Sequence, residues 1–258
     1  MKAILSNMQP DILREQFIPD HLFIYIAKGT IGFFNGNKSY TYRTGECCIA
    51  RKNYLVKFML NDSTEDFEPV LLCFDQEFLQ QYQRKHESRP QNFHSDEAII
   101  RLKKVDLVDY FVQSLVPYHQ GVMKLDEAFE DLKYEELLTI LLKTYPELSG
   151  IFFDFDPPQK INLEAYMNRN FRFNVSIERF AYLTGRSISA FKRDFKVLFN
   201  ETPSRWLVKK RLHEAYFLLD KERRKPSEIY LDLGFESLSH FSVAFKKEFG
   251  MVPTSLHQ

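Results

Sequence analysis

Ser189, Lys192, Arg193 and Lys196 are spaced so that a helix turning 100° per residue gathers them on one face. That face carries a hydroxyl, two ammonium groups and a guanidinium, a set suited to recognition rather than bond making. The amines can neutralise phosphates, and the planar guanidinium offers paired donors to the O6 and N7 of guanine in a major groove. Fifty residues on, Ser239, His240, Ser242, Val243 and Lys246 take the matching outward positions, with Ser242 standing for Lys192 and Val243 for Arg193. The second face is electrostatically weaker. Ser239 and His240 supply its hydrogen bonds, and Val243 an apolar contact of the kind a thymine methyl accepts. Residues for covalent chemistry are sparse: Cys47 and Cys48 are adjacent, His21 stands alone before the first expected strand, and no Cys/His spacing suits zinc. We therefore expect no catalytic residue, no metal and no cofactor.

Both faces sit in a repeated element. Phe195-Lys196 through Pro203-Ser204 reappears as Phe245-Lys246 through Pro253-Thr254, and the register extends upstream through Ser187/Ser237, Leu183/Leu233 and Glu178/Glu228. Each copy reads as a short helix, a turn and a longer helix. In the first copy Ser176 caps Ile177 to Thr184, Gly185 turns the chain, and Ser187 caps Ile188 to Phe199, whose Ile188, Phe191, Phe195 and Leu198 form the buried stripe. In the second, Pro226 opens the support helix, Leu233-Gly234-Phe235 makes the turn, and Ser237 caps Leu238 to Phe249. Between the copies Thr202 and Pro203 open a helix to about Asp220, with Val208, Leu212, Ala215 and Leu219 on its apolar side. Eighteen residues rise about 27 Å, near the roughly 34 Å of one DNA turn once flanking side chains are added. Such a helix would space two readers along one side of a duplex. Arg223-Arg224-Lys225 beyond it is placed for a backbone contact.

Charge agrees with this division. The chain is neutral overall, yet residues 160–258 hold 18 Lys+Arg against 11 Asp+Glu, and residues 1–159 hold 17 against 24. An anionic partner is expected for the basic end alone, and overall neutrality disfavours a non-specific architectural protein. Neither a secretory leader nor an apolar run of about 20 residues is evident, so we expect a cytoplasmic protein without a membrane partner.

The stretch Glu228-Ile229, Leu233-Gly234-Phe235-Glu236-Ser237-Leu238-Ser239-His240-Phe241-Ser242, Phe245-Lys246-Lys247-Glu248-Phe249-Gly250 and Pro253-Thr254 resembles the DNA-binding domain of AraC/XylS-type bacterial transcription regulators. The likeness covers almost 100 residues. It implies seven helices, two helix-turn-helix units on a linker helix, and binding to double-stranded promoter DNA, usually to activate transcription with RNA polymerase. Val243 departs from the Arg common at its site, and Tyr230-Leu231 from the usual Ile-Ala of the support helix. The alternative is a DNA-tethered enzyme of the alkylation-repair type with Cys47 or Cys48 as acceptor; it lacks both a four-cysteine zinc site and a His beside either thiol.

The acidic part alternates short apolar runs with turns: Leu22–Ile26, Thr30–Phe34, Lys38–Tyr42, Glu46–Ala50, Leu55–Leu60 and Val70–Phe74, with Asn35-Gly36-Asn37 as a hairpin signal. The strand order resembles the cupin-like sensor domain that often precedes this DNA-binding domain. The fold class expected is α+β multidomain: a cupin-like β-barrel with appended helices, then an all-α domain. Residues 1–145 form a sensor and dimerisation domain, 146–160 a linker and 161–258 the DNA-binding domain. Phe23, Tyr25, Phe33, Tyr40, Tyr42 and Phe58 either line a cavity for a small-molecule effector or fill a core. Helices over Glu97–Leu115 and about Leu125–Leu142, the latter with Leu132, Leu137, Leu138, Leu141 and Leu142, either cover the barrel or form a two-fold interface. The resemblance favours a homodimer through these helices, and a protein effector is the other candidate partner.

Overall fold

A computed structural model describes residues 4–5, 16–60, 67–93, 95–119 and 127–257. The chain divides into two compact units, Met1–Asp156 and Pro157–Gln258.

The first unit is built on β3 (His21–Lys28), the middle of a five-stranded antiparallel sheet. On one side lie β9 (Glu68–Phe74) and then β1 (Ile4–Leu5); on the other lie β6 (Cys47–Ala50) and then β10 (Ile99–Arg101). A second sheet holds β5 (Ser39–Arg43), β4 (Thr30–Phe34) and β8 (Lys57–Leu60), and β2 (Phe17–Ile18) pairs with β7 (Tyr54–Leu55). The β4–β5 hairpin closes through Asn35, whose Oδ1 accepts from the Lys38 amide at 2.8 Å, while Gly36 takes φ 90°.

Both faces of the large sheet are buried, which explains the unbroken apolar runs of β3, β6 and β9. Leu22, Ile24, Ile26, Cys48, Ala50 and Leu71 face the small sheet's Ile31, Phe33 and Tyr42. Phe23, Cys47, Ile49, Val70, Leu72 and Phe74 face helices. The expected single barrel is therefore not what the described strands form: the sheets are separate, with no closed ladder among them. Nor do the six aromatic residues line one interior. Phe23 and Tyr25 turn to the helical side, while Phe33 packs edge-on against Tyr42 and Phe58 between the sheets.

The helices among the described residues of this unit are α1 (Gln76–Lys85), α2 (Asp106–Ser114), α3 (Val116–His119), α4 (Glu127–Thr144) and α5 (Ser149–Phe152). Residues 97–105, read from sequence as the start of a helix, are not helical. Their β-branched Ile99 and Ile100 pair with Ala50 and Ile49 as strand β10, and helix begins only at Asp106. Pro146–Phe153, placed in the linker by sequence, forms a 3₁₀ turn and α5, with Leu148, Ile151 and Phe152 in the first unit's core. His21 lies in the first residue of β3 rather than before it, buried edge-on to Phe152.

The second unit contains α6 (Leu163–Asn170), α7 (Ile177–Leu183), α8 (Ile188–Phe199), α9 (Pro203–Asp220), α10 (Pro226–Ile229), α11 (Leu238–Phe249) and a final 3₁₀ turn, Pro253–His257. The resemblance implied seven helices; the described residues of this unit form six α-helices and this 3₁₀ turn. Serines start three helices: Ser176, Ser187 and Ser237 accept from the amides of Arg179, Ala190 and His240 at 3.1, 3.3 and 3.2 Å. Both long readers stop the same way, with Asn200 and Gly250 left-handed at φ 53° and 73°. Thr202 takes the N-cap position of α9, yet its side chain makes no capping bond.

Candidate nucleic-acid interface

Helix α9 is the axis of the second unit. Its first half holds α8 through Trp206, whose ring lies 4.7 Å from that of Phe199 and 5.6 Å from that of Phe195. Its second half holds α11, with Leu212, Ala215 and Leu219 buried against Ile229, Leu233, Phe241 and Phe245. Each reader thus packs its phenylalanine stripe inward and is forced to turn the opposite face out.

On α8, Ser189, Lys192, Arg193 and Lys196 are all exposed. Lys192 and Lys196 line a groove of about 580 Å³ together with Ile177 and Glu178 of α7 and residues Glu201, Thr202, Pro203 and Ser204 at the start of α9. The Lys196 ammonium donates to the Asn200 carbonyl at 3.2 Å, in the last turn where a cation is favoured. Arg193 is 74% exposed along its side chain, but its Nε and Nη2 both donate to Asp194 Oδ1, at 3.3 and 3.2 Å. Asp194 Oδ2 in turn accepts from Arg186 Nε at 3.2 Å, and Lys160 lies 3.9 Å away. The Arg186 guanidinium beside it, then Arg193, hold the Asp194 carboxyl below the usual carboxylate range.

On α11, Ser239, His240, Val243 and Lys246 are exposed and Ser242 is half-buried. The Ser242 hydroxyl donates to Leu238 O at 2.8 Å, so its proton is committed to its own helix. The His240 ring stands edge-on to Phe235 at 5.9 Å. Val243, 69% exposed, offers only apolar surface. Of the basic loop after α9, Arg223 donates to the Leu256 carbonyl at 2.8 Å and Arg224 to Glu228 at 3.4 Å, so both have protein partners.

Three residues that frame this surface were not singled out from sequence. Arg211 is buried on α9 and donates to three carbonyls: Nε to Phe171 and Nη2 to Phe173 at 2.7 Å, Nη1 to Gly234 at 2.9 Å. Burial lowers its pKa to about 10. Its signal was available, since it is a charge one position from Leu212 and four from Ala215 on the apolar side. Arg186 fixes the first turn by donating to Thr184 O at 2.7 Å and Ile161 O at 3.0 Å. Asp194 links that turn to Arg193. Gly185, at φ 65°, rests so close on the Gln159–Lys160 peptide that a Cβ would approach the Gln159 carbonyl carbon to 2.4 Å; Gly234, at φ 83°, would meet the Arg172 carbonyl at 2.7 Å.

The thiols do not form an acceptor site. Cys47 and Cys48 are buried, and desolvation pushes Cys47 up to about 12 and Cys48 well above its ordinary value, so neither supplies thiolate. Among the described residues no group of three or more His, Cys, Asp or Glu could hold a metal ion, and no helix is long and apolar enough to cross a membrane.

Two helix-turn-helix units on one linker helix, preceded by a β-rich unit with appended helices, define a transcription-regulator architecture. The chain belongs to the AraC/XylS-type regulators: residues 21–150, just over half of it, match the model of the ExsA N-terminal regulatory domain, and residues 180–258 that of a helix-turn-helix domain. It is similar to the virulence regulon transcriptional activator VirF of Yersinia enterocolitica, 26% identical over 128 residues, 48% of this chain and 46% of that protein. The HTH-type transcriptional regulator ExsA of Pseudomonas aeruginosa is 24% identical over 129 residues, 49% and 46% of the two chains. The chain thus spans about half the length of these curated relatives. A crystal structure of apo ToxT from Vibrio cholerae aligns over 98% of this chain and 92% of that one, with 15% identity and a TM-score of 0.39.

Proposed function

We propose that the protein is a sequence-specific, promoter-binding regulator that activates transcription. The observation that carries this reading is the pair of exposed reader faces held by one buried-core helix: Ser189, Lys192, Arg193 and Lys196 on α8, and Ser239, His240, Ser242, Val243 and Lys246 on α11. The 18 residues of α9 give about 27 Å of spacing, fitting successive major-groove segments on one side of a duplex. The first reader supplies most base-directed hydrogen bonds. The second, with Ser242 back-bonded and Val243 apolar, fixes register and adds a smaller contribution. Activation, through contact with RNA polymerase, is favoured by the relatives named as activators.

The β-rich unit serves as a sensor and dimerisation domain. Its helices cover the large sheet with Val108, Phe111, Tyr134, Leu137, Leu138 and Leu141, while leaving Leu107, Tyr110 and Leu132 more than half exposed. That residual apolar face suits a second copy of the chain, or a protein effector. A cytoplasmic location fits these partners.

A footprint on promoter DNA tests the reading. Protection should cover two adjacent groove segments on one face, and log K should fall linearly with log salt at a slope set by the phosphates neutralised. A footprint of one segment, or binding without salt dependence, would refute it.

A further inference from the structure

We propose that Asp194 is the positioning residue for Arg193, and that the pair reads a guanine through the terminal edge of the guanidinium; this rests on the DNA-binding reading above. An exposed arginine samples many rotamers, and ordering it on a base costs entropy. Here one edge is already committed. Nε and Nη2 of Arg193 both donate to Asp194 Oδ1, at 3.3 and 3.2 Å. A guanidinium has five N–H donors in a rigid fork. Those left over, both on Nη1 and one on Nη2, lie along the end of the group, the edge that spans O6 and N7 of guanine.

The acid is itself held. Its other oxygen accepts from Arg186 at 3.2 Å, and Arg186, 8% exposed along its side chain, is pinned by the carbonyls of Thr184 and Ile161. A continuous chain of contacts therefore runs from Ile161, in the segment preceding α6, through the turn, to the reading arginine. The second copy provides an internal comparison. At the fifty-residue offset Val243 replaces Arg193, Ala244 replaces Asp194 and Glu236 replaces Arg186, although the Phe, Leu, Ser and Pro scaffold is kept. Where the arginine is missing, its buttress and brace are missing too. A carboxylate on a DNA-facing helix also repels phosphates, so its presence is a cost to general binding that base selection would offset.

The test uses the full chain and a duplex selected from a random library for tight binding, with each guanine replaced in turn, beside a random-sequence duplex. Arg193→Ala, Asp194→Ala and Asp194→Asn are compared across salt, and thermal unfolding is recorded for each. We expect Asp194→Ala to reduce discrimination at one guanine by roughly 5–10-fold, within the range of a bidentate contact. Its affinity for random duplex should hold or rise. Arg193→Ala should affect the same guanine, the double variant should add little, and Asp194→Asn should fall between. If Arg193→Ala loses that guanine while Asp194→Ala keeps it, the positioning role is wrong and base reading by α8 stands. If neither substitution alters discrimination, or no guanine is selected, the reading assigned to α8 is itself wrong. A uniform loss on every duplex with a lowered melting temperature would assign Asp194 to stability and overturn the proposal.

Discussion

Replacing Arg211 with methionine roughly keeps the length of the side chain and removes the three hydrogen bonds it donates. The carbonyls of Phe171, Phe173 and Gly234 then lose partners at 2.7–2.9 Å in a site where Arg211 is 8% exposed. Each orphaned buried acceptor costs about 1–3 kcal/mol, a gross loss of about 3–9 kcal/mol. Against this, methionine needs no charge desolvation; the fall of the arginine pKa from 12.5 to about 10 sets that relief at about 3 kcal/mol. The net destabilisation is then about 0–6 kcal/mol, centred near 3, and that midpoint corresponds to roughly 12–24 °C for a unit of this size. Calorimetry of the full chain measures it. DNA binding supplies a second readout, because Arg211 ties the segment before the first reader to the turn of the second. Arg211→Met should shorten the footprint to one groove segment at temperatures where the unit is still folded. A melting shift below about 3 °C, with both segments protected, would refute the assignment of Arg211 as the tie between the readers.

Lys196→Ala should weaken binding to specific and random duplexes alike and lower the salt slope by about one, checked by titration at several salt concentrations. Leu132→Glu, at a position 62% exposed, should convert the proposed dimer to monomer while moving the unfolding midpoint by no more than about 2 °C; sedimentation reads the first, and an unchanged mass would refute the interface. The sheet unit should lose stability in mild acid. Burial, then Lys52 and Arg51, depress His21 to about 3 from 6.5, so below pH 6.5 the unfolded chain takes up a proton that the folded chain refuses. The penalty grows to about 2 kcal/mol at pH 5 and is complete near pH 3; His21→Phe should flatten denaturant midpoints measured between pH 7 and 5.

The helix-turn-helix units were legible because their signals are local and doubled. Ser176, Ser187 and Ser237 announce their helices within four residues, and the phenylalanine spacing names the buried side of each reader. The N-terminal strands from β3 to β9 were legible from turn residues, but which face met which layer was not. With both sides of the large sheet apolar, Phe23 and Ile24 look equally like core, and only the helices packed behind Phe23 separate them. Strand β10 was hidden for another reason: Ile99 and Ile100 sit among charges at helical spacing, and their partners Ala50 and Ile49 are some fifty residues away. On α8 and α11 the outward residues could be read as a surface. That Arg193 leans on Asp194, and that Ser242 has spent its proton on Leu238, could not, because side-chain pairing on one helix depends on rotamers that spacing leaves open.

The seat of Gly185 sets a rule for exchanging parts between regulators of this build. Its floor is the Gln159–Lys160 peptide, with no room for a methyl group between them, and Ile161 supplies a carbonyl to the same turn. A chimera joined at Asn162 would keep every helix of the reader module yet replace the surface on which its first turn is cast. Joined ahead of Pro157, the graft carries its own footing, and the transplanted module should melt and bind as it does in the parent chain.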